Sequence, residues 1–289
     1  MLHVIPGSGN LIGGQGLLVK VKPGRSLDEM KLPEAPATMK MALGENPKGI
    51  YGGRHQSPAT RMGNFAVLRQ AFTAAGEYAA SWERYRRNIR RDSTVKPPER
   101  DLKLEALQGV LSGETQVHMH CYRADEMLRM IDMAKRFGFR ITCYHHAVEA
   151  WMIADELAEH GVAAAVWPDW WGFKLEAWNA RLDAPVILKQ AGAVFTLHSD
   201  SARDVQWLYH MAARLVRYGL DETSALESIT TTPAEILGLE ERVGSLAVGR
   251  DADVTVFDRH PLDIYTRVAM TIVDGEILYE RTSDEAQDE

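Results

Sequence analysis

Cysteine is almost missing: the chain has 2 among 289 residues, Cys121 and Cys143. Two thiols cannot build a disulfide framework, and both stand in apolar, strand-like runs where a free thiol behaves as a small hydrophobe, so they are expected to be reduced and buried. No apolar run reaches the ~18 residues of a membrane helix. The opening stretch MLHVIPGSGNLIGGQG also lacks a charged segment followed by an apolar one, so no membrane partner is expected; the location is left open, cytoplasmic as the chain reads, with loss of an upstream export signal as the alternative. Positive charge is the minority sign, with 33 Lys and Arg against 40 Asp and Glu and a formal net charge of −7. Without a long basic run, nucleic acid is excluded as an expected partner. The one basic cluster, Arg84, Arg86, Arg87, Arg90 and Arg91, reads as a solvated helix end, which cations favour. Repeats and low-complexity tracts are also lacking, apart from a polar tail at 283–289 that is expected to be disordered.

What is present is the composition of a globular chain, 45% hydrophobic and 25% charged. A short apolar run, Leu2 to Ile5, leads straight into the glycine-rich PGSGNLIGGQG, as in a domain entered part-way. A Pro-containing stretch from Pro23 to Pro36 precedes a second apolar run, Ala37 to Leu43, which ends in the turn-like GENPKG. From Asn64 to Asn88 the residues Phe65, Leu68, Phe72, Ala75, Ala79, Trp82 and Tyr85 recur at helical spacing and predict a long amphipathic helix.

Beyond the linker RDSTVKPPERD, apolar strands alternate with polar-faced helices. VHMHC is followed by ADEMLRMIDMAKRFG, ITCYHH by AVEAWMIADELAEHG, AAAVWP by a helix around KLEAWNARL, and AVFTLHSD by a helix through WLYHMAARLVRYG. Four strand–helix units predict an α/β fold with parallel strands, either a barrel or an open doubly wound sheet. After Leu239 the pattern changes to short antiparallel strands with glycine turns. The expected division is a large α/β domain over 1–238 and a small β module over 239–282.

Chemistry concentrates at the strand ends. His118 and His120, two apart, share one face of a strand at its C-terminal end; His145 and His146 end the next strand; His198 and Asp200 end another. Packing alone explains such convergence poorly, because each buried imidazole needs a polar partner. Imidazole nitrogen and carboxylate oxygen together are the usual ligands of a catalytic divalent ion.

These residues carry a resemblance to the amidohydrolase superfamily, in its imidazolonepropionase-like and prolidase-like branch. VHMHCY resembles that family's fifth-strand segment, TCYHHA its sixth and LHSDS its eighth; GNLIGGQG resembles the glycine-rich end of its third strand. GSLAVGRDADVTVFDRHPLD with VDGEILYER resembles its closing pattern nearly throughout. The resemblance implies an incomplete TIM-type (β/α)8 barrel, strands 3 to 8, with a C-terminal β module. It implies His120, His146 and Asp200 as metal ligands, with Lys40 in ATMKMALGENP as the fourth-strand ligand and Glu45 as its competitor. His120 is preferred to His118 because Cys121 and Tyr122 follow it. His118, one pleat deeper, becomes a supporting partner on the substrate side, and Tyr122 and His198 become substrate contacts.

The implied cofactor is a divalent metal, zinc by preference, as one or two ions. The implied chemistry is hydrolysis of a carbon–nitrogen bond in a small molecule, an amide, dipeptide, or cyclic amidine or lactam, with Asp200 as general base. Trp167, Trp170 and Trp171 either wall an apolar pocket or pack within their loop. The family's first-strand His-x-His has no counterpart near the N-terminus, since His3 and His55 stand alone. The alternatives are therefore an inactive barrel fragment, or a split subunit whose partner chain supplies that pair. A phosphotriesterase-like or deaminase member of the same superfamily, and a homo-oligomeric state, also stay open.

Overall fold

The computed structural model describes residues 1–167 and 169–282; the tail expected at 283–289 lies outside them. The chain opens with strands β1 (Leu2–Val4), β2 (Ile12–Gln15) and β3 (Leu17–Val19), helix α1 (Leu27–Met30), strand β4 (Ala37–Ala42) and helices α2 (Glu45–Gly52), α3 (Arg61–Asn88) and α4 (Leu102–Leu111). It continues through β5 (Thr115–Cys121), α5 (Ala124–Phe137), β6 (Ile141–His146), α6 (Ala154–His160), β7 (Ala163–Val166), α7 (Ala184–Gln190) and β8 (Phe195–Leu197). Helices α8 (Leu208–Arg217), α9 (Glu222–Glu227) and α10 (Thr231–Ile236) precede strands β9 (Val254–Phe257), β10 (Val268–Val273) and β11 (Glu276–Glu280). None of the helices among the described residues is long and apolar enough to cross a membrane. The chain divides into two compact units.

The first unit comprises Ile5–Gly16 and Pro36–Thr142. Its strands β4 and β5 run parallel, with Ala37 opposite Thr115 and Ala42 opposite His120, and β2 joins β4 antiparallel. Both strands are buried almost throughout, as parallel strands covered on both faces must be. Helix α3 begins at Thr60, whose hydroxyl accepts from the Gly63 N–H at 3.0 Å. It buries Leu68, Phe72 and Ala75, spaced as the periodicity predicts. Phe72 stacks on Phe139 with ring centroids 4.5 Å apart; fully burying one such side chain stabilises by roughly 1.5–3 kcal/mol.

GENPKG, read as a turn, is instead the start of α2. Gly44 takes φ +81° and ψ −153°, a conformation that favours glycine, and Pro47 stands in the first turn, where its missing N–H costs nothing. Helix α4 was not apparent in the sequence; the Asp101 carboxylate caps it by accepting from the N–H groups of Lys103 and Leu104 at 2.8 and 3.1 Å.

The second unit comprises Met1–Val4, Leu17–Ala35 and Cys143–Glu289. Within it the end of β6 pairs parallel with β7 and β7 with β8, so that His146 lies opposite Val166 and Val166 opposite Leu197. The helix expected around KLEAWNARL is a single 3-10 turn at Leu175–Ala177. The α-helix stands further on, at α7, where Pro185 presets the first turn. Strands β9, β10 and β11 form an antiparallel sheet. Asp274 and Gly275, at φ +50° and +79°, make the two-residue turn between its last two strands.

An apolar cluster of Leu18, Leu32, Ala234, Leu237, Leu239 and Val243 joins the β3 region to the α10 region. Beside it the buried ammonium of Lys20 donates to Asp251 at 2.7 Å, Asp253 at 3.1 Å and Asp274. Lys22 pairs with Asp274 at 2.6 Å and Arg242 with Asp251 at 2.8 Å. Cys121, in the first unit, and Cys143, in the second, are both free and buried. Burial pushes the Cys143 thiol up to about 12.

Candidate metal centre

In the first unit the strand alternation puts His118 and His120 on one face of β5, each 1% exposed. The parallel register sets Lys40, 4% exposed, opposite His118, and sets the small Ala42 opposite His120. The backbone of His120 is held where β4 ends, its carbonyl accepting from the Leu43 N–H at 2.9 Å. Its ring meets Tyr122 edge-on at 4.9 Å. The Asn46 amide is shared between Ser8 Oγ at 2.8 Å and His120 Nε2 at 3.3 Å. Asn46, on the first turn of α2, was missed in the sequence because GENPKG read as a turn. Lys40 Nζ donates to the Pro6 carbonyl at 3.4 Å, which ties the strand to the glycine-rich segment. Glu45, the competing ligand, is half-buried at the start of α2.

In the second unit His145 and His146 end β6, and His198 and Asp200 follow β8. The His146 N–H donates to His198 Nε2 at 3.3 Å, which leaves the proton of a neutral His198 on Nδ1. His146 Nε2 lies 4.0 Å from Asp200 Oδ2. That is too long for a hydrogen bond, but within twice the ~2.1 Å metal–ligand distance of zinc. His146, Ala147 and Asp200 have φ of +70°, +29° and +48°. Left-handed backbone costs a non-glycine residue about 1–2 kcal/mol, and such strain gathers at functional sites.

Trp167 covers this cluster. It is 3% exposed, stacks on His146 at 4.1 Å and on His198 at 5.0 Å, and carries Trp170 at 4.9 Å on its rings. Trp171 instead turns within its own loop, its indole N–H donating to the Trp178 carbonyl at 2.9 Å. The sequence left these tryptophans undivided; the structure gives them two different roles.

The donors fit a divalent ion by their chemistry. In the second unit the buried imidazole of His146 has a carboxylate oxygen beside it, Asp200 Oδ2 at 4.0 Å; in the first, Lys40 stands in register with His118 on the strand beside β5, and its ammonium offers a metal no lone pair until it is deprotonated or carbamylated. Nitrogen and oxygen donors of this kind suit zinc and similar ions.

The chain is 32% identical over 289 residues to Amidohydrolase tasK of Hapsidospora irregularis, covering 94% of this chain and 30% of that protein. It is 30% identical over 164 residues to an imidazolonepropionase of Shewanella sp. (strain MR-4), covering 54% of this chain and 39% of that protein. The chain thus spans roughly a third of the length of these curated relatives. The crystal structure of an amidohydrolase from Thermotoga maritima MSB8 matches with a TM-score of 0.88 at 36% identity, over 96% of this chain and 71% of that one. The model of the amidohydrolase family matches residues 105–278, more than half of the sequence, and the chain therefore belongs to the amidohydrolase family.

Proposed function

We propose that this chain carries a metal-binding part of a hydrolase acting on carbon–nitrogen bonds of small molecules, amides, dipeptides, or cyclic amidines or lactams. The observation that carries the reading is the pairing of His146 with Asp200 at 4.0 Å, both on left-handed backbone at strand ends. His120, His146 and Asp200 would hold the metal, with a carbamylated Lys40 or, in its place, Glu45, as the family resemblance assigns them one by one. The fold reading is a TIM-type barrel represented by strands 3 to 8 over 1–238, with a β module over 239–282.

A bound divalent ion supplies Lewis-acid charge that acidifies water and polarises the carbon under attack. Asp200 takes the proton of the attacking water and passes it to the leaving nitrogen. His198, whose Nε2 accepts from the His146 backbone N–H, would be a substrate contact, as the family resemblance assigns it. Tyr122, edge-on to His120, would be a further substrate contact, and His118, on the same strand face, would support His120.

Elemental analysis of the purified chain and its variants tests the assignment. His120→Ala and Asp200→Ala are each expected to lose the metal that the chain retains, whereas His160→Ala, in the last turn of α6, keeps it. Equal loss in all three would sink the ligand assignment.

A second reading rests on a specific observation: His118-Met119-His120 is the only His-x-His in the 289 residues, and it lies on β5. The pair that the family's first strand contributes would then come from another segment or chain. Near-stoichiometric metal only when a chain bearing that pair is co-expressed would establish completion in trans. Equal metal with and without that chain would remove this reading, and no metal in either sample would favour an inert fragment.

A further inference from the structure

Aromatic rings run outward from His146 and His198 in an unbroken column within the second unit. Trp167 stacks on both histidines and is 3% exposed; Trp170, tilted only 10° from Trp167, is half-buried; Phe173 meets Trp170 edge-on at 5.9 Å and is 53% exposed. Exposed aromatic area is unfavourable in water, and in this column it ends a continuous stack that begins at the two histidines. The charges beside the column are already neutralised. Lys174 lies 5.8 Å over the Phe173 ring and 3.6 Å from Glu176, and Asp169 pairs with Arg214. No unpaired charge from these four residues is left to recognise an ionised group, whereas flat π-faces suit another ring, whose stacking is worth about 0.5–1.5 kcal/mol beyond the area buried. Trp171 and Trp178 do not belong to the column, since they close the loop on itself through an indole-to-carbonyl hydrogen bond.

We infer that the Trp170 and Phe173 faces form a stacking subsite for an uncharged aromatic substituent of the substrate, carried at a distance from the bond that is cleaved. The substrate class within the proposed hydrolase, on which this inference rests, is therefore an amide or lactam bearing an aryl or heteroaryl group. The stacked rings of Trp167 and Trp170 stand between the open face of this subsite and His146 and His198. They hold the substituent two ring thicknesses from the histidines without offering it a charge.

Isothermal titration of the full chain with three probes tests this without requiring turnover: N-acetylphenylalaninamide, N-acetylalaninamide, and the 4-carboxyphenyl analogue of the first. The aromatic amide is expected to bind at least about tenfold tighter than the other two, a difference of about 1.4 kcal/mol. Phe173→Ala, at an exposed position that leaves the packing intact, and Trp170→Ala should each remove most of that preference. Trp171→Ala should keep it. Equal binding of the three probes, binding of none, or a preference that survives both Phe173→Ala and Trp170→Ala would overturn the subsite. Hydrolysis is scored separately: an aromatic preference without any metal-dependent cleavage leaves the subsite standing and rejects the hydrolase reading.

Discussion

His146 and Asp200 hold left-handed backbone at φ +70° and +48°, where a side chain on Cβ crowds the following carbonyl. The strain can be read separately from the loss of the imidazole by comparing His146→Ala with His146→Gly. Both variants are expected to lose metal, but the glycine variant should be more stable in urea melts by up to about 1 kcal/mol, because only glycine enters this region freely. Equal stability, or a more stable alanine variant, would show that the backbone stores no strain there. Asp200→Asn is expected to leave the melt unchanged within about 0.5 kcal/mol, since the side chain is 58% exposed and asparagine tolerates the left-handed region. Cleavage of any amide substrate should nevertheless be lost with the carboxylate. The recurrence of histidines and an aspartate at strand ends was legible in the sequence. Their backbone conformation was not, since nothing in YHHA or HSDS, neither of which contains glycine, announces a positive φ. Trp167 was visible as a residue and invisible as a cover, because its stacking partners stand 21 positions before it and 31 after it.

Among the elements, the loop after β4 is held by contacts that are remote in sequence. Glu126, 4% exposed at the start of α5, accepts from the Gly44 N–H at 3.2 Å and pairs with Arg61 at 2.6 Å, while the Asn64 amide donates to the Gly44 carbonyl at 3.1 Å. Gly44→Ala is expected to destabilise by about 1–3 kcal/mol, from backbone strain at φ +81° and ψ −153°. Because Asn46 follows two residues later, the same change should disturb its contact with His120, which heteronuclear NMR of the imidazole would register as a shift. This is also why α2 escaped the sequence reading: Gly-Glu-Asn-Pro is turn chemistry locally, and the carboxylate that satisfies Gly44 lies 82 residues away.

The Lys20 cluster is the other long-range tie. Burial by itself lowers the Lys20 pKa, but hydrogen bonds to Asp251, Asp274 and Asp253 outweigh it and the net direction is upward. Burial likewise raises Asp251 and Asp274, and their cationic partners bring both below the usual carboxylate range. The lysine's contribution is complete below about pH 10.4 and is lost as pH rises through its raised value. That of the aspartates is complete above about pH 3.9 and is lost as pH falls through their lowered values. The cluster therefore stabilises from about pH 4 to about pH 10. Lys20→Met is expected to cost about 2–3 kcal/mol at pH 7, less than a wholly buried pair because the carboxylates are partly exposed. The penalty should shrink below about pH 4, when urea melts are repeated in acid. A pH-independent penalty would mean that packing, not charge, is what the lysine supplies.

For the molecule as a whole, metal and folding are linked by mass action. Zinc at about a hundredfold over its dissociation constant adds about 2.7 kcal/mol to the folded state. That should raise the melting temperature of the chain by a few degrees. The rise should vanish in His120→Ala and Asp200→Ala and persist in His160→Ala. The broad α/β class and three of the four expected strand–helix units were legible, because strands buried on both faces read as apolar runs. The displacement of the seventh helix from KLEAWNARL to α7 was not. Apolar periodicity alone cannot tell that Leu175, 82% exposed, has no core to face.

The two thiols lend the molecule a use unrelated to its chemistry. Cys121 and Cys143 are both inaccessible in the folded chain, and they fall one in each compact unit. A thiol-alkylating reagent applied in pulses during denaturation, with each site read by peptide mass, would record the opening of the two halves on separate clocks, with no label to engineer. Simultaneous modification would show that they unfold as one cooperative body; staggered modification would identify the half that yields first.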